Sequence, residues 1–531
     1  MEQGRLWLAI FLSLGLYLLY DYAVLRPYRE AVQQQASTST SSIPSTVPEA
    51  PSPEPPGAPA RKSGVATTLT GTPIVVDTDL FRATIDSIGG RLRRFELKDY
   101  RAHVAPDSPA LDLVPANQAS VLPMTLDLGS SESDAGVQYS ANKTSLSISR
   151  EATASLVLTG NLPDGSPVTK TFDFKGESYV FELKIETSGR IAPVGVVVTP
   201  LATDSEAQAG REKAIGLSQE KLVERSISKI TGEPTRWESI AWAGFASQYF
   251  VSLVVSEETS GTAATVYGAS AVPVVAVHEV PADGVARFRV LMGPKDGQVL
   301  SAAGDHLDRA LDFGWFWFIA VPLLRLLRIF KSITGNYGIA IILLTVLVKA
   351  ATIPLSRAQY RSMQKMQQLQ PHLERLRERN KEDPNAMQRE MMELYRKHGV
   401  NPLSGCVPMI LQIPIFVGLY NALLNAIELR HAPFVWWIND LSAPDRLTVA
   451  GLSIPVLVII MGASMLVQQW MTPAQGDPTQ RRMMMIMPVV FTVMFLKFPS
   501  GLVLYWLVNN VISIGQQYFV LNRSSPQGAR A

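Results

Sequence analysis

One cysteine in 531 residues, Cys406, excludes an intrachain disulfide and any CxxC metal site. Six scattered histidines leave little material for a His-rich metal centre. Charge is scarce: Asp, Glu, Lys and Arg make up 18% of the chain, against about 25% in average soluble domains. The net charge of +2 provides no global basic field for nucleic acid. No phosphate-binding P-loop is visible, so no nucleotide, cofactor or metal is expected. Internal repeats are not evident, and there is no mirrored pair of broken apolar segments of the kind that marks a transporter site. What is abundant is apolar: 47% of residues are hydrophobic and the mean hydropathy is +0.12. These averages exclude a disordered or collagen-like chain. They conceal a strong segregation of charged from uncharged stretches, and that segregation decides the class.

The first apolar run, Leu6 to Tyr20, follows Arg5 and extends to Leu25 if Asp21 reaches the interface. About 20 residues span a bilayer. The exit Tyr17-Leu18-Leu19-Tyr20-Asp21-Tyr22 is too bulky for signal cleavage. An uncleaved anchor over 1–28 is therefore preferred to a signal peptide. Tyr17, Tyr20, Tyr22 and Tyr28 are suited to an interfacial belt. Residues 29–63 are rich in Ser, Thr and Pro and read as a disordered, semi-extended linker.

From 64 to 308 the texture is period-two alternation. Tyr179 to Glu186 and Val285 to Val290 alternate as half-buried strands. Pro73 to Asp77, Phe81 to Ile85, Val194 to Val198 and Val272 to Val277 read as further strands. Gly89-Gly90, Pro163-Asp164-Gly165 and Asp283-Gly284 punctuate them as turns. Many short strands with such turns indicate an all-β sandwich. A few helical turns are expected near 203–222. No catalytic motif is visible in this region.

Residues 309–531 form the third part. Phe313 to Phe330 is aromatic and aliphatic, with Arg325, Arg328 and Lys331 near its end and Pro322 inside. It reads as an amphipathic interfacial helix over 313–331, with a membrane span as the alternative. Long uncharged runs then predict spans near 337–356, 403–427, 450–470, 483–497 and 501–521, the last two separated by the turn signal Phe498-Pro499-Ser500-Gly501. With the anchor the count is six transmembrane helices. The segment 357–401 holds ten Lys and Arg residues, so the positive-inside rule places it, the 471–482 loop and both termini in the cytoplasm and the β domain outside it.

Lys349 is the sharpest feature, a cation inside a predicted span. A charge at mid-membrane costs about 2.5–3.5 kcal/mol on insertion scales. It either snorkels to the cytoplasmic headgroups or faces a wet cavity. Thr345 lies one turn earlier on the same helical face. Other spans carry Gln412, Asn421, Asn425, Gln468, Gln469, Asn509, Asn510, Ser513, Gln516 and Gln517. Interhelical hydrogen bonding accounts for most such residues; a polar interior around one cation accounts better for the group. No buried acid partners Lys349, which disfavours an ion-coupled pump and suits transient attraction of an acidic polar segment.

The segment 357–401 reads as a helical hairpin. Met366, Leu369, Leu373 and Leu376 follow 3-4-3 spacing, Asp383-Pro384 starts a second helix, and Met387, Met391 and Leu394 continue the seam. Two helices packing on each other is the plain reading. The added one is a docking surface, since ten bases against six acids leave +4, including Arg375, Arg377 and Arg379. Met363, Met366, Met387, Met391 and Met392 supply flexible thioethers of the kind that accept varied apolar partners.

Several segments of the chain resemble the YidC family of membrane protein insertases in its Gram-negative form. They are Pro354-Leu355-Ser356-Arg357-Ala358-Gln359-Tyr360, Asn401-Pro402-Leu403-Ser404-Gly405-Cys406, Gln412-Ile413-Pro414-Ile415-Phe416 and Phe498-Pro499-Ser500-Gly501-Leu502-Val503-Leu504-Tyr505. The resemblance implies five core helices around a hydrophilic groove open to the cytoplasm and to lipid, with a periplasmic β-supersandwich like sugar-mutarotase folds. It implies a non-enzymatic insertase and chaperone of nascent inner-membrane proteins. The bilayer, the ribosome and the Sec translocon are the implied partners, and no small-molecule substrate is. Thr345 and Gln412 match groove-lining positions. Lys349 matches a groove position that is typically Arg, so the charge carries over and the bidentate fork does not. Trp506 matches an aromatic contact position that is often Tyr. The hairpin, with Met363, Met366, Arg375, Arg377, Arg379 and Met391, would recruit substrate or ribosome. Two rival readings are a polar-groove transporter or lipid-handling protein, and a sugar-binding or enzymatic β domain.

Overall fold

Alternating strands and long helices divide the chain in the computed structural model, which describes residues 71–523 apart from 106, 116–120, 130–131, 188–192, 203–210, 231–232, 258–261, 270–271, 281–283, 381–382, 400–406, 450–451 and 472–477. The expected anchor 1–28 and linker 29–63 lie outside the described residues, as does Cys406.

The β region holds three sheets of five, nine and five strands. The nine-stranded sheet runs from Lys221–Ser226 at one edge through Phe250–Ser256 and Val285–Pro294 to Val180–Thr187 and Pro167–Lys175. Pairing is antiparallel throughout except for Pro73–Asp77 beside Ser145–Ser147. Strands alternate because one face is buried: in Pro167–Lys175, Val168, Lys170, Phe172 and Phe174 point inward. Phe81, Phe95, Phe174 and Phe181 form a ring cluster at the centre, Phe81 stacking on Phe95 at 4.5 Å. Lys170 is buried on the same face. It lies 2.6 Å from the equally buried Asp134 and donates to the carbonyls of Gly89 and Met124 at 2.7 and 2.9 Å. Tyr139 donates to the same carboxylate at 2.8 Å. The inward lysine and its carboxylate are thus paired and hydrogen-bonded inside an apolar sandwich.

The predicted strands are found, Pro73–Asp77 and Val194–Val198 with the expected limits. The helical turns expected near 203–222 are not. Lys213–Ser218 and Lys221–Ser226 form a hairpin turning at Gln219 and Glu220, both at positive φ; residues 203–210 lie outside the described set. The helix-forming run Glu212-Lys213-Ala214 is overridden because Ala214, Ile215 and Leu217 are buried in the nine-stranded sheet beside Ile240–Ala246.

Eight α-helices are described: α1 (Gly297–Ala303), α2 (Trp317–Thr334), α3 (Tyr337–Arg379), α4 (Pro384–Lys397), α5 (Val407–Asn425), α6 (Val456–Met471), α7 (Pro478–Phe495) and α8 (Ser500–Arg523). The α2–α3 corner is local chemistry. Gly335 takes the left-handed conformation that ends α2, and the Asn336 side chain caps α3 by accepting from Gly338 N and Ile339 N. A Cβ at Gly338 would strike the Phe434 ring, so this helix start closes on the loop after α5.

The interfacial helix expected over 313–331 begins only at Trp317 and runs to Thr334, and three further boundaries move. The span 337–356 and the first arm of the hairpin are one continuous helix, because Pro354 and Pro371 lie inside α3 without ending it. The span expected from 450 begins only at Val456. Leu447–Val449 pairs with Leu452–Ile454 as a small hairpin, Pro455 follows, and Asp445 Oδ2 accepts from Leu457 N at 2.5 Å to open α6. The helix expected from 483 starts at Pro478 and takes Arg481 and Arg482 into its first turns. Among the described residues one helix is long and apolar enough to cross a membrane, Tyr337–Pro354, and Val456–Met471 and Met485–Phe495 are shorter apolar helices. Leu343, Val346, Leu347, Ile459, Ile460, Val467, Val489, Val493 and Val511 are exposed on α3, α6, α7 and α8. An apolar belt of that extent suits a hydrocarbon surround rather than water.

The β region and the helices meet through specific contacts. Arg328 of α2 bridges Asp296, which caps α1, and Glu428 after α5, at 2.9 and 2.5 Å. Gln248 donates to Leu424 O at 2.7 Å, and Arg430 donates to Arg101 O at 2.6 Å. Near this seam burial pulls the Lys295 ammonium down to about 8, and pushes the Glu212 carboxyl up to about 7.

Candidate functional site

The polar residues of the helical region fall mainly along α8. Asn510, Ser513 and Gln517 are buried there at 3–4 spacing, one stripe of the helix. Each finds a partner on a neighbouring helix. Asn510 donates to Ser464 Oγ of α6 at 3.1 Å, and Gln517 donates to Met471 O at 2.8 Å. Ser513 Oγ accepts from Lys349 Nζ of α3 at 2.8 Å and itself donates to Asn509 O at 2.7 Å. The Gln516 Oε1 is buried without a hydrogen-bond partner among the described residues. Along the apolar bundle, α3, α6 and α8 are thus laced by amides, hydroxyls and one cation.

Lys349 stands twelve residues after Tyr337, about 18 Å along the helix at 1.5 Å per residue. It is half-buried, and no carboxylate pairs with it among the described residues. A cation held there by a neutral hydroxyl keeps its charge uncompensated by the protein. Thr345 is 1% exposed, and its hydroxyl donates to Ile341 O at 2.7 Å, one turn back. It lies beneath the polar stripe, with its hydroxyl already used. Gln412 of α5 lies beside the Tyr505 hydroxyl on α8. Tyr505 and Ser513 are eight residues apart, so the Gln412 and Lys349 stations stand about 12 Å apart along α8. The structure brings Lys349 to Ser513 and Gln412 to Tyr505; it does not bond Lys349 to Gln412.

Trp506 is an aromatic hub. It meets Phe416 of α5 edge-on at 4.9 Å, Phe495 of α7 at 5.1 Å and Phe491 at 6.0 Å. It joins α5, α7 and α8 at the level of the Gln412–Tyr505 contact. Asn421 and Asn425 leave the polar set: they donate to Phe313 O at 2.8 Å and Asp312 O at 3.3 Å, tying α5 to the chain entering α2.

The hairpin forms as the seam predicts. Asp383 caps α4 by accepting from Asn385 N and Ala386 N, both at 3.0 Å. Leu369 and Leu373 are buried, with Met366, Met391, Leu394 and Tyr395 packed around them. Met366 and Met391 are therefore partly covered by the hairpin itself, whereas Met392 is 55% exposed. Arg375 and Arg379 are exposed on its surface. Met363 and Arg377 lie on α3, and their side chains are outside the described set. Ser513 is among the polar span residues named from the sequence, and packing makes it the partner of Lys349; Tyr505 is the site residue that sequence reasoning does not single out.

Known proteins match both regions. The family model described as a 60Kd inner membrane protein matches residues 329–527, and that of the YidC periplasmic domain matches residues 73–326. The membrane protein insertase YidC of Geobacter sulfurreducens is 41% identical over 464 residues, covering 84% of this chain and 86% of that protein. That of Pelobacter propionicus is 36% identical over 543 residues, covering 98% and 99%. Among solved structures, an active YidC insertase with its first transmembrane domain resolved covers 85% of this chain and 93% of that one at 22% identity, with a TM-score of 0.38. On the strength of the sequence relationships, the chain belongs to the YidC family, with a membrane domain and a periplasmic β-sandwich domain.

Proposed function

We propose that the chain inserts nascent inner-membrane proteins into the bilayer and assists their folding, without covalent chemistry. The observation that carries the mechanism is Lys349, a cation of α3 held by the Ser513 hydroxyl within a polar stripe of otherwise apolar helices. A short polar segment of the substrate enters from the cytoplasmic side. Lys349 and the amides of α8 replace part of its hydration, with the Gln412–Tyr505 station further along. The substrate's apolar segment moves along the exposed aliphatic faces of α3 and α8 and partitions into lipid. Burial of each CH₂ contributes about 0.8 kcal/mol, so one apolar span outweighs the transfer of a few polar groups.

In this reading the protein is multi-pass, with six spans and both termini in the cytoplasm. The hairpin of α3 and α4 faces the cytoplasm, where Arg375, Arg377 and Arg379 meet the ribosome and Met363, Met366 and Met391 meet emerging apolar segments. The Sec translocon is a further partner. The positive-inside count of the hairpin supports this orientation.

The test is site-specific photo-crosslinking. A crosslinking residue at Val346, the exposed neighbour of buried Thr345, is presented to ribosomes stalled on a short inner-membrane protein. The expected result is a crosslink to the nascent apolar segment that appears and fades with chain length. Absence of a crosslink at every length, with normal expression and topology, refutes the reading.

A further inference from the structure

The seam between the β region and the helices contains a cavity of about 320 Å³. Its walls carry His103 and Arg211 from the β side, and Arg430, His431, Asp440 and Lys497 from the helical side. Three permanent cations and two imidazoles thus face one carboxylate. That carboxylate is committed within its own loop: Asp440 Oδ1 accepts from His431 N at 3.1 Å, Ser442 N at 2.8 Å and Ser442 Oγ at 2.7 Å. Arg430 is held in place by Arg101 O and lies over the Phe250 ring at 5.3 Å. Arg211 donates to Gln248 Oε1 at 3.0 Å, and neither Arg211 nor Lys497 pairs with a carboxylate among the described residues. Arg430 and His431 are half-buried in the wall, whereas Arg211 and Lys497 are exposed at its mouth, so the group directs a net positive field at the cavity opening.

The depth of the cavity narrows the ligand. Lys497 lies in the short link between α7 and α8, and Pro444 and Pro499 bridge beside it. The apolar window of α3 begins at Tyr337, and Asn336 next to it donates to Phe434 O in the same loop that supplies His431 and Asp440. The cavity therefore sits where the hydrocarbon ends on the β-domain side. Its volume is at the small end of the roughly 300–1,000 Å³ range of small-molecule clefts, enough for one headgroup.

We propose that this cavity binds a phosphate oxyanion, with Arg211, Arg430 and Lys497 as its donors. Its depth favours the phosphodiester headgroup of an anionic phospholipid in the outer leaflet over free phosphate. A bound headgroup spans both walls and locks the β domain to the helices.

The test uses the full chain. Its thermal stability is measured in nanodiscs of phosphatidylcholine, in nanodiscs containing phosphatidylglycerol, and in neutral detergent with inorganic phosphate. Native mass spectrometry counts retained lipid. The expected result is a saturable upward shift with phosphatidylglycerol and one retained molecule, with apparent affinity about tenfold weaker in Arg211→Gln and in Lys497→Gln, the loss of one charged hydrogen bond. Arg211→Lys keeps most of the shift, and Arg236→Gln, on the exposed rim of another sheet, keeps all of it. A shift with inorganic phosphate but none with phosphatidylglycerol supports the oxyanion site and assigns it to the free anion. No shift with either probe, or shifts and apparent affinities in Arg211→Gln and Lys497→Gln as large as in the unmutated chain, overturns the proposal. Unliganded melting of each variant separates lost binding from lost folding.

Discussion

Replacing Lys349 by Met separates a charge that serves substrate from one that serves the fold. A cation about 18 Å along a spanning helix carries an insertion cost of about 2.5–3.5 kcal/mol. Its bond to Ser513 at 2.8 Å returns about 1.5–3 kcal/mol, as expected for a charged hydrogen bond. The two nearly cancel, so Lys349→Met should change the stability of the folded protein by about 1 kcal/mol or less. The effect on a substrate carboxylate is larger. At about 5 Å and an effective dielectric constant near 20, the attraction is about 3 kcal/mol, roughly two orders of magnitude in occupancy. Insertion of a protein whose translocated segment carries an acidic residue should therefore slow by up to about 100-fold. A matched substrate with a neutral segment should slow only a few-fold, and Lys349→Arg should restore the acidic substrate. The assay is translation into proteoliposomes holding the full chain, scored by protease protection. Equal slowing of the acidic and neutral substrates would refute the reasoning, because the charge would then be acting through the structure of the bundle.

Four further outcomes follow from the packing. Lys170→Met leaves buried Asp134 without its ion-pair partner, hydrogen-bonded by the Tyr139 hydroxyl and Leu126 N and with Arg91 as the remaining nearby cation; a loss of about 3–5 kcal/mol should appear as faster hydrogen exchange in Pro167–Lys175 of the full chain, and unchanged exchange would contradict it. The Glu212 carboxyl, pushed up to about 7 by burial, binds its proton more tightly folded than unfolded. Its contribution is thus complete below the ordinary carboxylate range and is lost as pH rises to about 7; Glu212→Gln should flatten the melting profile across that window and be the more stable form above it. Trp506→Ala empties the junction with Phe416, Phe491 and Phe495 and should cost about 3–5 kcal/mol, with Trp506→Phe much milder on thermal denaturation in nanodiscs. Leu373→Ala removes half of the buried pair that joins α3 to α4; α4 should exchange its amides faster while the membrane helices do not.

How much of this was legible depends on the range of the forces involved. The strands Pro73–Asp77 and Val194–Val198 and the α3–α4 hairpin could be read because their signals are local: β-rich apolar runs, 3-4-3 spacing, and an Asp-Pro cap that the structure shows accepting two amides. The hairpin at Lys213–Ser226 could not, since helix-forming residues there are overruled by the buried sheet on which they lie. The start of α6 was misplaced because uncharged residues describe hydrocarbon length, not backbone shape, and Asp445 and Pro455 decide where the helix begins. The same limit applies at the site. Lys349 is visible as a lone charge in an apolar run, but its partner Ser513 depends on α8 packing against α3. Thr345 shares the face of Lys349 by helical spacing, yet its hydroxyl is satisfied by its own helix. The bridge from Arg328 to Asp296 and Glu428 joins three segments far apart in the chain and carries no local signature. Sequence patterning therefore locates a cation that must be accounted for, whereas tertiary packing decides which of its polar neighbours remain free to meet a substrate. By that criterion Thr345 is already used, and the pairs Lys349–Ser513 and Gln412–Tyr505 are where substitutions should separate substrate handling from folding.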